Sequence, residues 1–147
     1  MPVRRFLVVA NQTLGGPHLI RHVRRLLAEG PCAFHVLVPA TPPREMAVWT
    51  EGDARAVAEE RLRAALERLR ELGAEADGEV GDPRPLQAID DVLLRGERFD
   101  GIILSTLPPG ISRWLKLDLP HRVEARFGLP VTHLVGEPEP AAPRRRG

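Results

Sequence analysis

Short apolar runs alternate with amphipathic segments along nearly the whole chain, and that alternation restricts the fold more than any other feature. Phe6-Leu7-Val8-Val9-Ala10, Ala33-Phe34-His35-Val36-Leu37-Val38, the Ile-Ile-Leu within residues 99–104, and Val131-Thr132-His133-Leu134-Val135 read as strands. Unbroken apolar runs of this length suit strands buried on both faces, as parallel sheets require. Residues 74–80 are weakly apolar and acidic, and fit a short edge strand between the second and fourth. Helical periodicity fills the gaps. Leu19, Ile20, Val23, Leu26 and Leu27 share one face over residues 18–28. Val57, Ala58, Leu62, Ala65, Leu66, Leu69 and Leu72 form a stripe that Thr50 or Asp53 can cap. Leu86, Ile89, Val92 and Leu93 mark a third helix, expected to be capped by Asp82 with Pro83 at its first position. A last helix is expected over residues 119–127, with Asp118 as its N-cap.

Strands separated by helices imply right-handed crossovers and an α/β fold, a parallel sheet of five strands with helices on both faces. Ligands of such sheets lie beyond the carboxyl ends of the strands, at the point where the strand order reverses. The loops to inspect are therefore residues 11–17, 39–41, 81–83 and 105–118. The 147 residues suit one domain, here residues 1–136, followed by a tail over 137–147 whose Pro, Ala and Arg content predicts disorder. A net charge of +1 gives no field that would favour nucleic acid, and Arg144, Arg145 and Arg146 read as solubilising. No run approaches the roughly 20 apolar residues of a membrane span, and no signal peptide is evident, so a cytoplasmic location is the default expectation. Cys32, the single cysteine, excludes an intramolecular disulfide and reads as a buried small hydrophobe.

Three stretches resemble the universal stress protein family. They are Val8-Val9-Ala10-Asn11-Gln12-Thr13, Gly81-Asp82-Pro83, and the block from Ile102 through Gly110, Ile111-Ser112-Arg113-Trp114-Leu115 and Arg122-Val123 to Leu129-Pro130-Val131. The resemblance covers about residues 3–136. It implies strand order 3-2-1-4-5, a homodimer formed through Val131–Val135, and a stress-response role. It also implies a nucleotide cleft using an aspartate after the first strand, the end of the second strand at Val38, and a glycine-rich loop after the fourth. The loop glycines of that family let backbone N–H groups approach phosphate.

The chain departs from this pattern. Asn11 stands where the aspartate is expected. Gly110 is the loop glycine with an evident counterpart, Pro108 and Pro109 have no N–H to donate, and Leu117-Asp118 replaces Gly-Ser or Gly-Thr. An Asp118 carboxylate near a phosphate at ~4 Å costs on the order of 4 kcal/mol before screening. ATP or AMP is thus a disfavoured ligand, and no cofactor is assigned.

Asn11, Thr13, Val38, Thr106, Gly110, Arg113, Asp118 and His121 are the candidate cleft residues, with Arg113 the best remaining anion contact. His18 and His22 are four apart on a helix, yet no third metal ligand is near in sequence, so partly exposed helix residues are the preferred reading and no metal is assigned. Trp114 reads as a plug under the loop, and Trp49 as a cover for the cleft or a partner surface. Ser105, Thr106 and Ser112 lack a sequence-marked base, and nucleophile-elbow and phosphate-loop motifs are absent. The leading expectation is a non-catalytic binder of a small ligand or a partner protein. Two alternatives stay open: an adenine-nucleotide binder with a rewritten phosphate loop, and a small hydrolase or transferase using His121 and Arg113.

Overall fold

The computed structural model describes residues 2–41 and 50–136. Trp49 and the expected tail over 137–147 lie outside the described residues. The element order is β1 (Arg4–Val9), α1 (Pro17–Glu29), β2 (Cys32–Pro39), α2 (Glu51–Glu71), β3 (Glu75–Gly81), α3 (Pro85–Leu94), β4 (Gly101–Thr106), α4 (Arg113–Lys116), α5 (Leu119–Phe127) and β5 (Val131–Val135). All strand pairs are parallel, in the order β3-β2-β1-β4-β5. The expected fold class and strand order are both present.

Strand periodicity divides the core in two. Val8, Phe34, Val36 and Ile103 face Leu19 and Val23 of α1 and Ala58, Ala65 and Leu69 of α2. Leu7, Val9, Leu37, Ile102 and Leu104 face Ala88, Ile89 and Val92 of α3 and Leu119 and Val123 of α5. Every residue of β4 is buried, which explains why its segment carries no polar alternation. Fully burying each such Leu, Ile or Val contributes roughly 1.5–3 kcal/mol. Cys32 is buried at the start of β2, its Sγ 3.4 Å from the Gly30 carbonyl.

Local chemistry sets the helix ends. Thr50 and Asp53 act together: Thr50 Oγ1 accepts from the Asp53 amide (3.1 Å) and Asp53 Oδ2 accepts from the Thr50 amide (3.3 Å), a reciprocal capping box. The third helix starts two residues later than expected. Arg84 precedes Pro85, and a residue before proline is pushed out of the α region, so Arg84 is extended (φ −88°, ψ 113°) and α3 begins at Pro85. Asp82 instead closes a turn, its Oδ1 accepting from the Arg84 amide at 2.8 Å. Asp118 also differs from its expected role. It precedes α5 in the left-handed region (φ 53°, ψ 41°), where Asp is tolerated, but its side chain makes no capping bond. Ser105 and Thr106, expected in a loop, are the buried last residues of β4.

A candidate ligand cleft beyond strands one and four

Strands β1 and β4 lie side by side, and the connections leaving them run to opposite sides of the sheet. Beyond their carboxyl ends opens a cleft of about 560 Å³. It is bounded by residues 11–13 after β1, Thr41, residues 83–87 at the start of α3, the end of β4, the segment holding α4, and α5. This is the switch point at which doubly wound sheets bind ligands.

The floor is polar. Consecutive residues of a strand point to opposite faces, so Ser105 and Thr106 build two separate networks. Ser105 Oγ lies 2.6 Å from Thr13 Oγ1 and 2.7 Å from His18 Nε2. Thr106 Oγ1 donates to the Leu107 carbonyl (3.0 Å) and lies 2.7 Å from His133 Nε2. The His18 ring sits between two backbones: a Cβ on either Gly16 or Gly136 would collide with it. Burial and the nearby Arg21 lower the His18 pKa, and burial lowers that of His133. His18 Nδ1 is buried without a partner. An unused lone pair there costs less than an orphaned N–H, which assigns the hydrogen to Nε2. Ser105 then accepts from His18, so this serine–histidine contact is not arranged for His18 to deprotonate Ser105.

Asn11 is committed to the scaffold. Its Nδ2 donates to the Pro39 carbonyl (2.7 Å) and to Thr41 Oγ1 (2.9 Å), and its Oδ1 accepts from Arg61 (2.5 Å). The amide thus ties the turn after β1 to the end of β2.

The segment after β4 uses its own amides. Those of Ile111 and Ser112 bond the Pro108 carbonyl, that of Leu115 bonds Ser112 Oγ, and those of Lys116, Leu117 and Asp118 bond carbonyls one turn back. Gly110 has φ +94° and makes the turn that permits this winding. Amides so engaged are not presented to a phosphate. Positive charge comes from side chains instead. Arg84 is clamped by Asp82 through contacts of 3.0 and 3.1 Å, and Arg126 lies 3.6 Å from Asp90. The Arg113 guanidinium lines the cleft and, among the described residues, makes no hydrogen bond or ion pair. Trp114, Leu86 and Leu117 supply an apolar wall. Trp114 also packs partly buried against the α3–α5 side of the core.

The structure brings Asn11, Thr13, Thr106 and Arg113 to the cleft lining. Val38 is buried within β2, and Gly110 is exposed at its turn. Asp118 directs its carboxylate to His121 Nδ1 at 3.4 Å, with both side chains largely exposed and outside the lining. The Asp118 carboxylate therefore does not face the cleft. His18 Nε2 contacts Ser105 Oγ, and His22 Nδ1 lies 3.4 Å from Arg25 Nη2. Sequence reasoning passed over Ser105 as a site residue because its partner lies 87 positions away. The available signal was parity: Ser105 shares a strand face with Ile103, the face covered by α1.

No family model matches the sequence, and no curated protein matches it. Solved structures do. A universal stress protein from Archaeoglobus fulgidus superposes with a TM-score of 0.55 at 18% identity, covering 90% of this chain and 94% of that one. A universal stress protein in complex with cAMP superposes with a TM-score of 0.54 at 17% identity, covering 89% of this chain and 96% of that one. The chain thus has the fold of the universal stress proteins, and the likeness establishes the fold alone.

Proposed function

We propose that this chain is a non-catalytic protein that binds a compact anionic small molecule in the cleft beyond β1 and β4, with Arg113 as the principal anion contact. The observation that carries this reading is the unpaired Arg113 guanidinium on a cleft where Arg84 and Arg126 are each held by a carboxylate and Arg122 reaches only the Leu117 carbonyl at 3.5 Å. Thr13, Ser105 and Thr106 form a polar floor already bonded to His18 and His133, and Trp114, Leu86 and Leu117 offer an apolar wall to the ligand's body. A triphosphate fits this arrangement poorly, because the segment after β4 bonds its own amides. One phosphate group fits better, and a structural neighbour was solved with cAMP. Isothermal titration with cAMP, AMP and ATP tests the reading. Expected are cAMP or AMP binding more tightly than ATP, and a loss of at least about tenfold with Arg113→Ala, on the order of 1.4 kcal/mol for one charge-assisted contact. Tight ATP binding indifferent to Arg113→Ala would overturn it.

The protein acts as a homodimer in this reading, paired through the open edge of β5. That edge presents unpaired backbone groups and the half-exposed Val135, and closed two-fold dimers are the commonest assembly.

A further inference from the structure

A second polar cluster lies away from the cleft, between β2, β3 and the segment that follows α3. His35 on β2 is only 6% exposed, and both of its ring nitrogens meet carboxylates of the neighbouring strand: Nδ1 lies 2.8 Å from Asp77 Oδ1, and Nε2 lies 2.8 Å from Glu79 Oε2. Strand register produces this, since His35 pairs with Asp77 and the next residue on the same face of β3 is Glu79. Glu97, just past the end of α3, completes the group. One donor atom each from His35, Glu79 and Glu97 lies within 4.8 Å of the others. Arg95 bridges Glu79 and Glu97, its Nη1 2.9 Å from Glu79 Oε1 and its Nη2 3.2 Å from Glu97 Oε2.

Two features separate this cluster from an ordinary acidic surface. A neutral imidazole has one N–H, so it can donate to only one of the two carboxylates that face it; the other contact takes either a second proton on the ring or a cation in that proton's place. In addition, the cluster gathers three carboxylates around His35 and Arg95: Asp77 contacts only the ring, while Glu79 and Glu97 share the single guanidinium of Arg95.

We propose that His35 Nε2, Glu79 and Glu97 form a site for a zinc-like divalent cation, with Asp77 fixing the ring through Nδ1–H and Arg95 as the resident cation that the metal displaces. A histidine nitrogen with two carboxylates suits zinc better than magnesium or calcium, which take oxygen ligands. Tetrahedral ligands at about 2.0–2.1 Å from zinc are roughly 3.3 Å apart, so small side-chain movements would close the group. The Asp77–His35 contact is the outer carboxylate that metal-bound histidines commonly use. Arg95 is half exposed and can swing into solvent. The ion would join the edge strand β3 to β2 and to the end of α3. No step of the proposed anion binding depends on it.

The test is calorimetric titration of the metal-stripped full chain with zinc, repeated with magnesium, alongside thermal unfolding. Expected are one zinc site, a raised melting temperature, and no response to magnesium. His35→Gln and Glu97→Gln should each weaken binding at least tenfold. Asp77→Asn should weaken it about tenfold, the lower end for an outer-shell partner. Arg95→Gln should tighten it, because the competing cation is gone; a purely structural Arg95 gives no such gain. Glu97→Gln alters an exposed loop and guards against misfolding of the buried His35 variant. Absence of zinc binding by the wild-type chain overturns the proposal. So does zinc binding indifferent to both His35→Gln and Glu97→Gln, which would place the ion on other histidines.

Discussion

The two edges of the sheet solve the same problem differently. At one edge, β3 carries Glu75, Asp77 and Glu79, and Arg70 of α2 donates to the Ala76 carbonyl at 3.1 and 2.8 Å. Its middle is closely packed on two sides: a Cβ on Gly78 would collide with the Val36 carbonyl of β2 and lie 2.6 Å from Leu62 Cδ1 of α2. At the other edge, β5 reads Val-Thr-His-Leu-Val, and among the described residues no side chain donates to its carbonyls. Charge and cover from the same chain close the first edge against further pairing. Among the described residues the second has no such cover, and the proposed dimer rests on that difference. Strand register decides which backbone amides each edge leaves available.

That register is explicit. The Ile102 amide bonds the Pro130 carbonyl and the Gly136 amide bonds the Thr106 carbonyl, so Thr132 and Leu134 direct their amides to β4. Val131, His133 and Val135 direct theirs to the open edge. The largest effect is therefore expected from Thr132→Pro, which removes an internal ladder bond and leaves a β4 carbonyl unpaired. A loss of about 2–3 kcal/mol should appear in urea unfolding. Next comes Gly78→Ala at the closed edge, where overpacking against Val36 and Leu62 should cost about 1–3 kcal/mol in the same assay. No loss there would show that β2 and α2 do not pack β3 as closely as the comparison holds. Val135→Lys alters an exposed side chain on the open edge. It should leave folding unchanged while raising the dimer dissociation constant at least about tenfold, read by light scattering on dilution. A wild-type monomer at high micromolar concentration would break the comparison outright. Leu134 packs partly buried against the α1–α2 side of the core, so a charge placed there would test folding rather than assembly.

The smallest effect is on pH. Folding lowers the pKa of His18 and His133 from an ordinary value near 6.5. The folded state then binds fewer protons than the unfolded chain in that range, so stability rises with pH. The contribution is complete above about 6.5 and falls as pH drops from there toward the lowered values. Urea midpoints should be lower at pH 5.5 than at pH 7.5, and His133→Gln should reduce the difference. An equal drop in that variant would remove His133 as a source.

Apolar runs and helical stripes carried the element order, because a strand buried on both faces has no freedom to be polar. Even the acidic third strand was legible, from its place between two helices. Boundaries were lost where adjacent residues compete: Arg84 is extended because Pro85 follows it, which overrides capping by Asp82. The site was legible only in part. Thr13 and Arg113 could be placed from their loops. Asp118 and His121 could not, since the left-handed turn at Asp118 rotates both toward solvent. The Ser105–His18 contact, the His35 cluster and the split of β5 amides between two edges join positions far apart in sequence. Local periodicity determines which faces are apolar; register and helix placement alone determine which polar groups meet on them.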